Sequence, residues 1–157
     1  MSDKLRAQVA VEREQLNRLL AAHRPLLAKC AAQAPDTIER SALAAMLHSF
    51  YTGIEHIFKR VAVECDGGSP VGDVWHRALL AGMTKPSSRR PAVISENTAQ
   101  ALRAYLDFRH VFRHAYSFEL QWEKMAPLVR QCEKTLVRLE SELDTFLASL
   151  DRNGKSA

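Results

Sequence analysis

The final third of the chain restricts the possible folds more than any other feature. Met125, Val129, Cys132, Leu136, Leu139, Leu143, Phe146 and Leu150 recur at alternating intervals of four and three residues. That spacing lays all of them along one stripe of a long helix, an a/d seam. The helix is predicted from about Gln121 to about Leu150, with Gly154 beyond its end. A seam of this length must be covered. Either other helices of the same chain cover it in an antiparallel bundle, or a second copy of the helix does.

The remaining sequence supplies helices for the first arrangement. Leu5, Val9, Leu16, Leu19, Leu20, Leu26 and Leu27 mark a helix from about Asp3 to about Lys29, which Pro25 is expected to kink or end early. A second helix starts near Pro35-Asp36-Thr37, where Asp36 and Glu39 form a capping-box pattern. Its apolar positions, Leu43, Met46, Leu47, Phe50, Ile54, Ile57, Phe58 and Val61, cover a wide arc, so it should lie centrally with neighbours on two sides. Asp66-Gly67-Gly68-Ser69-Pro70 breaks the pattern. A short helix follows over about Asp73 to Gly82, then a basic irregular stretch from Lys85 to Pro91. A fourth helix should run from near Ser95 to about Arg113 or His114. The expected fold is all-α: an up-and-down antiparallel four-helix bundle with an additional short helix. Residues 1–152 form a single domain on this reading, and 153–157 a disordered tail.

Composition excludes several classes of function. No apolar run approaches the roughly 20 residues needed to cross a bilayer, and Met1-Ser2-Asp3-Lys4 lacks the apolar core of a secretory signal. Cys30, Cys65 and Cys132 are odd in number and form no CxxC, which argues against a disulfide framework or a zinc finger. A reducing, cytoplasmic setting is the expectation. His110 and His114 are four apart and could face Glu55 or Asp107, but no ExxH motif accompanies them, so neither a metal site nor a cofactor is assigned. His23 reads as a core histidine, His76 as structural or lining a cleft, and His48 and His56 share the second helix with Glu55. The formal net charge of +4 and pI near 9.1 are compatible with a nucleic-acid partner and do not identify one.

The fourth helix departs from routine. Leu102, Tyr105, Leu106, Phe112 and Tyr116 mark its apolar stripe, and Arg109 falls on that stripe. An arginine cannot lose its charge, and burying it unpaired is costly. Arg109 must therefore meet a buried carboxylate, for which Glu55 is the candidate, or face a cleft. Arg103, Asp107, His110 and His114 occupy the next face, with Arg103 and Asp107 spaced to pair. Taken alone, these residues fit a solvated helix face with one satisfied core arginine as well as they fit a site.

Arg109, four residues, His114, one residue and Tyr116 spell R-x4-H-x-Y. This resembles the motif of the HEPN ribonuclease superfamily, and within it the HepT toxin family, although His110 stands where HepT proteins commonly have Asn. Phe50-Tyr51-Thr52-Gly53-Ile54-Glu55-His56-Ile57-Phe58, Trp75-His76 and the run from Phe108 to Leu120 are also similar to HepT-like proteins. The resemblance implies metal-independent endonucleolytic cleavage of RNA, with His114 as general acid–base and Arg109 as phosphate clamp. His110 and Arg113 would support the site or hold RNA. DNA lacks the 2′-hydroxyl this route needs. The resemblance further implies the toxin of a toxin–antitoxin pair, a homodimer whose motifs meet in a shared cleft, and a cognate nucleotidyltransferase antitoxin of the MntA type. Tyr116 is then either a buried residue closing the bundle or the acceptor of AMP from that partner. The alternative within the same family is a non-catalytic module that binds nucleotide or the nucleotidyltransferase. On a regular helix, residues five apart are rotated by about 140°. Arg109 and His114 therefore share a face only if the helix ends between them or two chains contribute.

Overall fold

The amphipathic segments become five α-helices and a 3-10 turn over residues 2–155, the part of the chain that the computed structural model describes. They are α1 (Ser2–Lys29), α2 (Thr37–Asp66), α3 (Trp75–Gly82), α4 (Glu96–His114), the 3-10 turn (Ser117–Glu119) and α5 (Trp122–Lys155). No β-strand forms among the described residues.

The seam of α5 is covered within the chain. Met125, Val129, Cys132, Leu136, Leu139, Leu143 and Phe146 are all buried, and Leu150 packs at the edge of the same core. Their neighbours come from α1, α2 and α4, so the seam closes an intramolecular bundle and is not left free to pair with a second copy. As its wide apolar arc predicts, α2 touches all four other helices. Gly53 lets α1 approach it closely, because a Cβ there would lie 2.8 Å from Leu16 Cδ2. The capping box at its start forms as expected: Glu39 N–H donates to Asp36 Oδ1 at 2.8 Å, and Asp36 N–H donates to Glu39 Oε1 at 3.1 Å.

One helix boundary differs from expectation, and the proline expected to kink or end a helix early does not end it. α1 continues through Pro25 to Lys29. Pro25 withholds one backbone donor, but it and Ala21, whose carbonyl loses that donor, are both exposed, so water can serve the carbonyl. α5 continues past Leu150 to Lys155. The tail expected over 153–157 is thus helical as far as Lys155, and residues 156–157 lie outside the described part. The basic stretch after α3 is tied down by Arg90, a buried residue whose guanidinium holds Asp66 at the end of α2 through Nε (2.8 Å) and Nη2 (2.9 Å). Its Nη1 also donates to the carbonyls of Lys85 and Pro91. No described helix is long and apolar enough to cross a membrane.

α4, which carries Arg109 and His114 of the R-x4-H-x-Y pattern, is fixed at its N-terminus by α5. Ser95 caps it by accepting from Thr98 N–H. The Glu142 carboxylate accepts from both Ser95 N–H and the Thr98 hydroxyl, placing negative charge at the positive end of the helix dipole. Further along, the buried Tyr105 hydroxyl donates to the carbonyl of Leu128 at 2.7 Å.

If the seam holds the bundle together, neighbouring positions on α5 should respond very differently. Leu139→Ala should cost about 2–5 kcal/mol, and Val137→Ala, on the exposed face, should stay within about 0.5 kcal/mol of wild type. Urea denaturation measures both.

Candidate active site

Two charged residues of opposite sign each interrupt an apolar stripe, Glu55 on α2 and Arg109 on α4, and the fold brings them together. Arg109 is only 2% exposed and Glu55 4%. Arg109 Nη2 donates to Glu55 Oε2 at 2.9 Å, and Nη1 donates to the Thr52 hydroxyl at 3.2 Å. The Tyr51 ring lies 5.0 Å from the guanidinium carbon, within cation–π range. Burial, and next the charge of Glu55, push the Tyr51 phenol well above its ordinary range. The expected pairing of Arg109 with a buried carboxylate is therefore made. Arg109 also borders a cleft, so both halves of the sequence expectation hold.

Glu55 Oε2 has a second partner, His76 of α3, whose Nδ1 lies 2.7 Å away. Trp75 stacks on the His76 ring, with centroids 3.6 Å apart, and Lys59 lies over Trp75. The cleft beside this cluster has a volume of about 230 Å³ and is lined by Asp73, Val74, His76, Arg77, Leu106, Asp107, Arg109, His110 and Arg113. Asp107 pairs with Arg77 across the cleft at 3.8 Å, which replaces the expected pairing with Arg103 along the helix. The lining sets Arg77, Arg109 and Arg113 against Asp73 and Asp107, and Glu55 neutralises Arg109 at the buried floor, so the exposed Arg113 and His110 are the groups placed to meet an anion.

The R-x4-H-x-Y residues divide between two places. Arg109, His110 and Arg113 border the cleft. His114 is the last residue of α4, exposed, with its ring edge-on to His110 at 4.9 Å. Helix α4 stays regular through His114, so the rotation between Arg109 and His114 persists. Tyr116 is 71% exposed and stacks on the equally exposed Phe118, with centroids 5.6 Å apart and planes 5° from parallel. That overturns its reading as a buried residue closing the bundle: the chain leaves α4 in extended conformation at Ala115 and carries the ring outward. His56 faces Glu12 of α1 at 3.5 Å, away from the cleft. His48, against Phe112, titrates below the ordinary histidine range, chiefly because it is partly buried and also because of the charges of Arg109 and Arg113. Among the described residues no group of three or more His, Cys, Asp and Glu side chains could hold a metal ion.

His76 lines the cleft, one of the two places the sequence reading allowed it, while its contact with Glu55 and the part played by Thr52 were not assigned. The available signal was Glu55, which lies between Tyr51 and Phe58 on the inner stripe of α2, where a carboxylate needs donors from neighbouring helices.

A family model described as HepT-like protein matches residues 42–150, more than half of the chain and all of α3, α4 and the cleft. No curated protein matches the chain. No solved structure matches it either.

Breaking the buried pair from one side should be far more damaging than replacing both partners. Arg109→Ala should cost about 3–5 kcal/mol, because Glu55 is left charged in the core. The double variant Arg109→Met, Glu55→Gln should lose less than the sum of its single changes, by on the order of 1 kcal/mol or more. Urea denaturation of the four proteins in that cycle gives the coupling directly, and simple additivity would show that the pair does not act as a unit.

Proposed function

The chain belongs to the HepT-like family, and from that premise we propose that it is a metal-independent endoribonuclease, the toxin of a toxin–antitoxin pair. The observation that carries the reading is the cleft itself. Arg109, His110 and Arg113 line one wall of a recess whose floor is fixed by a buried ion pair, next to the end of α4 where His114 is exposed. His114 is the general acid–base: an imidazole can exchange a proton with a ribose 2′-hydroxyl or with the leaving oxygen near neutral pH. Arg113 and His110, both exposed, make the outer phosphate contacts, and Arg109 supplies fixed positive charge at the floor, where a phosphate that enters is clamped.

The functional unit on this reading is a homodimer. The rotation between Arg109 and His114 favours a cleft completed by a second copy, and the exposed apolar side chains beside the motif, Val111, Tyr116 and Phe118, offer a surface for it. The outward-facing hydroxyl of Tyr116 is the acceptor for AMP from a nucleotidyltransferase antitoxin. AMP there adds bulk and negative charge at the mouth of a phosphate-binding cleft, which repels RNA.

Cleavage of single-stranded RNA by the purified protein in EDTA is the primary test. Activity should persist without metal, fail on the corresponding DNA, and fall about 10²–10⁴-fold in His114→Ala. A protein that leaves RNA intact yet binds a nucleotidyltransferase tightly would be the non-catalytic module of the same family instead.

Oligomeric state and modification have their own readouts. Equilibrium sedimentation at micromolar concentration should give a dimer, and a strict monomer that still cuts RNA would rule out the shared cleft. Co-expression with a nucleotidyltransferase encoded beside it should raise the mass of the peptide containing Tyr116 by AMP. An unchanged mass would remove that role.

A further inference from the structure

The mechanism above moves protons through His114 alone, whereas the cleft wall holds His76, a histidine built for proton transfer. His76 Nδ1 lies 2.7 Å from Glu55 Oε2 and 3.0 Å from Arg109 Nη2. Arginine only donates and a carboxylate only accepts. For Glu55 to hold both neighbours, Nδ1 must carry the proton and donate it. The Arg109–His76 approach is then two donors converging on one oxygen. With the proton on Nδ1, the neutral ring has its lone pair on Nε2. Among the described residues, every hydrogen bond to this ring involves Nδ1. His76 is partly exposed on the cleft wall, with Trp75 stacked against its ring. Its carboxylate partner is buried, so water does not compete for Nδ1.

We propose that His76 is a catalytic residue of the cleft, the base that opens the cleavage reaction, with Glu55 as its positioning residue. The proposal rests on the ribonuclease reading and assigns the two histidines opposite roles. Nε2 of His76 takes the proton of the ribose 2′-hydroxyl as that oxygen bonds to phosphorus. The bond from phosphorus to the 5′-oxygen breaks, and the leaving oxygen takes a proton from the His114 imidazolium. The products are a 2′,3′-cyclic phosphate and a 5′-hydroxyl, with His76 protonated and His114 neutral. Exchange with water restores both, so no co-reactant is needed. Glu55 holds the productive tautomer and stabilises the imidazolium that forms, as a buried carboxylate does for an acid–base histidine elsewhere.

The test uses the full chain in EDTA with a single-stranded RNA oligonucleotide, following kcat and KM between about pH 5 and pH 9. His76→Asn is the decisive variant. Its amide can still donate to Glu55 in place of Nδ1, so the brace is kept while the ring nitrogen that carries the proton is lost. Circular dichroism should show it folded. Its kcat should fall about 10²–10⁴-fold with little change in KM, and the limb of the pH profile that rises with pH should disappear. In His76→Ala, added imidazole should restore part of the rate. Glu55→Gln, read only if circular dichroism shows it folded with Arg109 left unpaired in the core, should lower kcat with a smaller loss, because it removes charge and leaves the ring in place. If His76→Asn is folded and cleaves within about threefold of wild type with an unchanged pH profile, while His114→Ala is inactive, His76 is only a brace and the ribonuclease reading stands. If the wild-type protein does not cleave RNA at all, both fall together.

Discussion

The ion pair between Arg109 and Glu55 is the constraint on which the rest of the site depends. Two opposite charges with side chains almost closed to solvent cannot be stable separately, since each would carry a desolvation penalty of several kcal/mol. Together they lock the rotation of α4 relative to α2. Thr52 takes a further guanidinium nitrogen and His76 shares the carboxylate, so α3 is drawn into the same arrangement. A core of leucines would hold these helices together at least as well. What the pair adds is register: only one rotation of α4 puts Arg109 opposite Glu55, and that rotation turns His110 and Arg113 toward α3.

This constraint works because the bundle around it is already decided. The α5 seam fills the space between α1, α2 and α4 with apolar side chains. Glu142 and the Leu128 carbonyl fix where α4 starts and how it lies along α5. Arg90 anchors the segment between α3 and α4 to the end of α2, so α3 is held at both ends of its path. The cleft is therefore a recess between α3 and α4 whose floor is set by contacts on three sides, so Glu55, His76 and Arg109 keep their places relative to one another.

What could be read from the sequence follows from what periodicity reports. The α5 seam, the central position of α2, the capping box at Asp36 and the anomaly at Arg109 are all properties of single helices, and each was visible before the fold was known. The pairing of Glu55 with Arg109 was inferable because both break an apolar stripe. His76 was not, because α3 is too short for a stripe to define its inner face. The leucine pattern carries α1 to Lys29, but whether Pro25 ends it early depends in part on whether water can serve the orphaned carbonyl, and that depends on exposure, which the pattern does not report. Arg90 looked like one more charge in a basic loop, since nothing local distinguishes a solvated arginine from one that meets a carboxylate 24 residues away. The fate of Tyr116 turned on a single residue, Ala115, which leaves the helical conformation and so takes the ring off the stripe it would otherwise have joined.

The division between interior and exterior also bears on how such a site can be controlled. Glu55, Arg109 and, in part, His76 are built into the frame of the bundle, so altering any of them endangers the fold. His110, Arg113, His114 and Tyr116 stand outside it, on the last turn of α4 and the segment beyond. A partner protein can reach the outer group without unfolding anything, and an added charge there acts on substrate entry while leaving the ion pair intact. Regulation aimed at the interior would have to destroy the protein each time. On the proposed reading, the exposed Tyr116 is the position where a reversible block costs the fold least, because a group added there leaves the buried pair untouched.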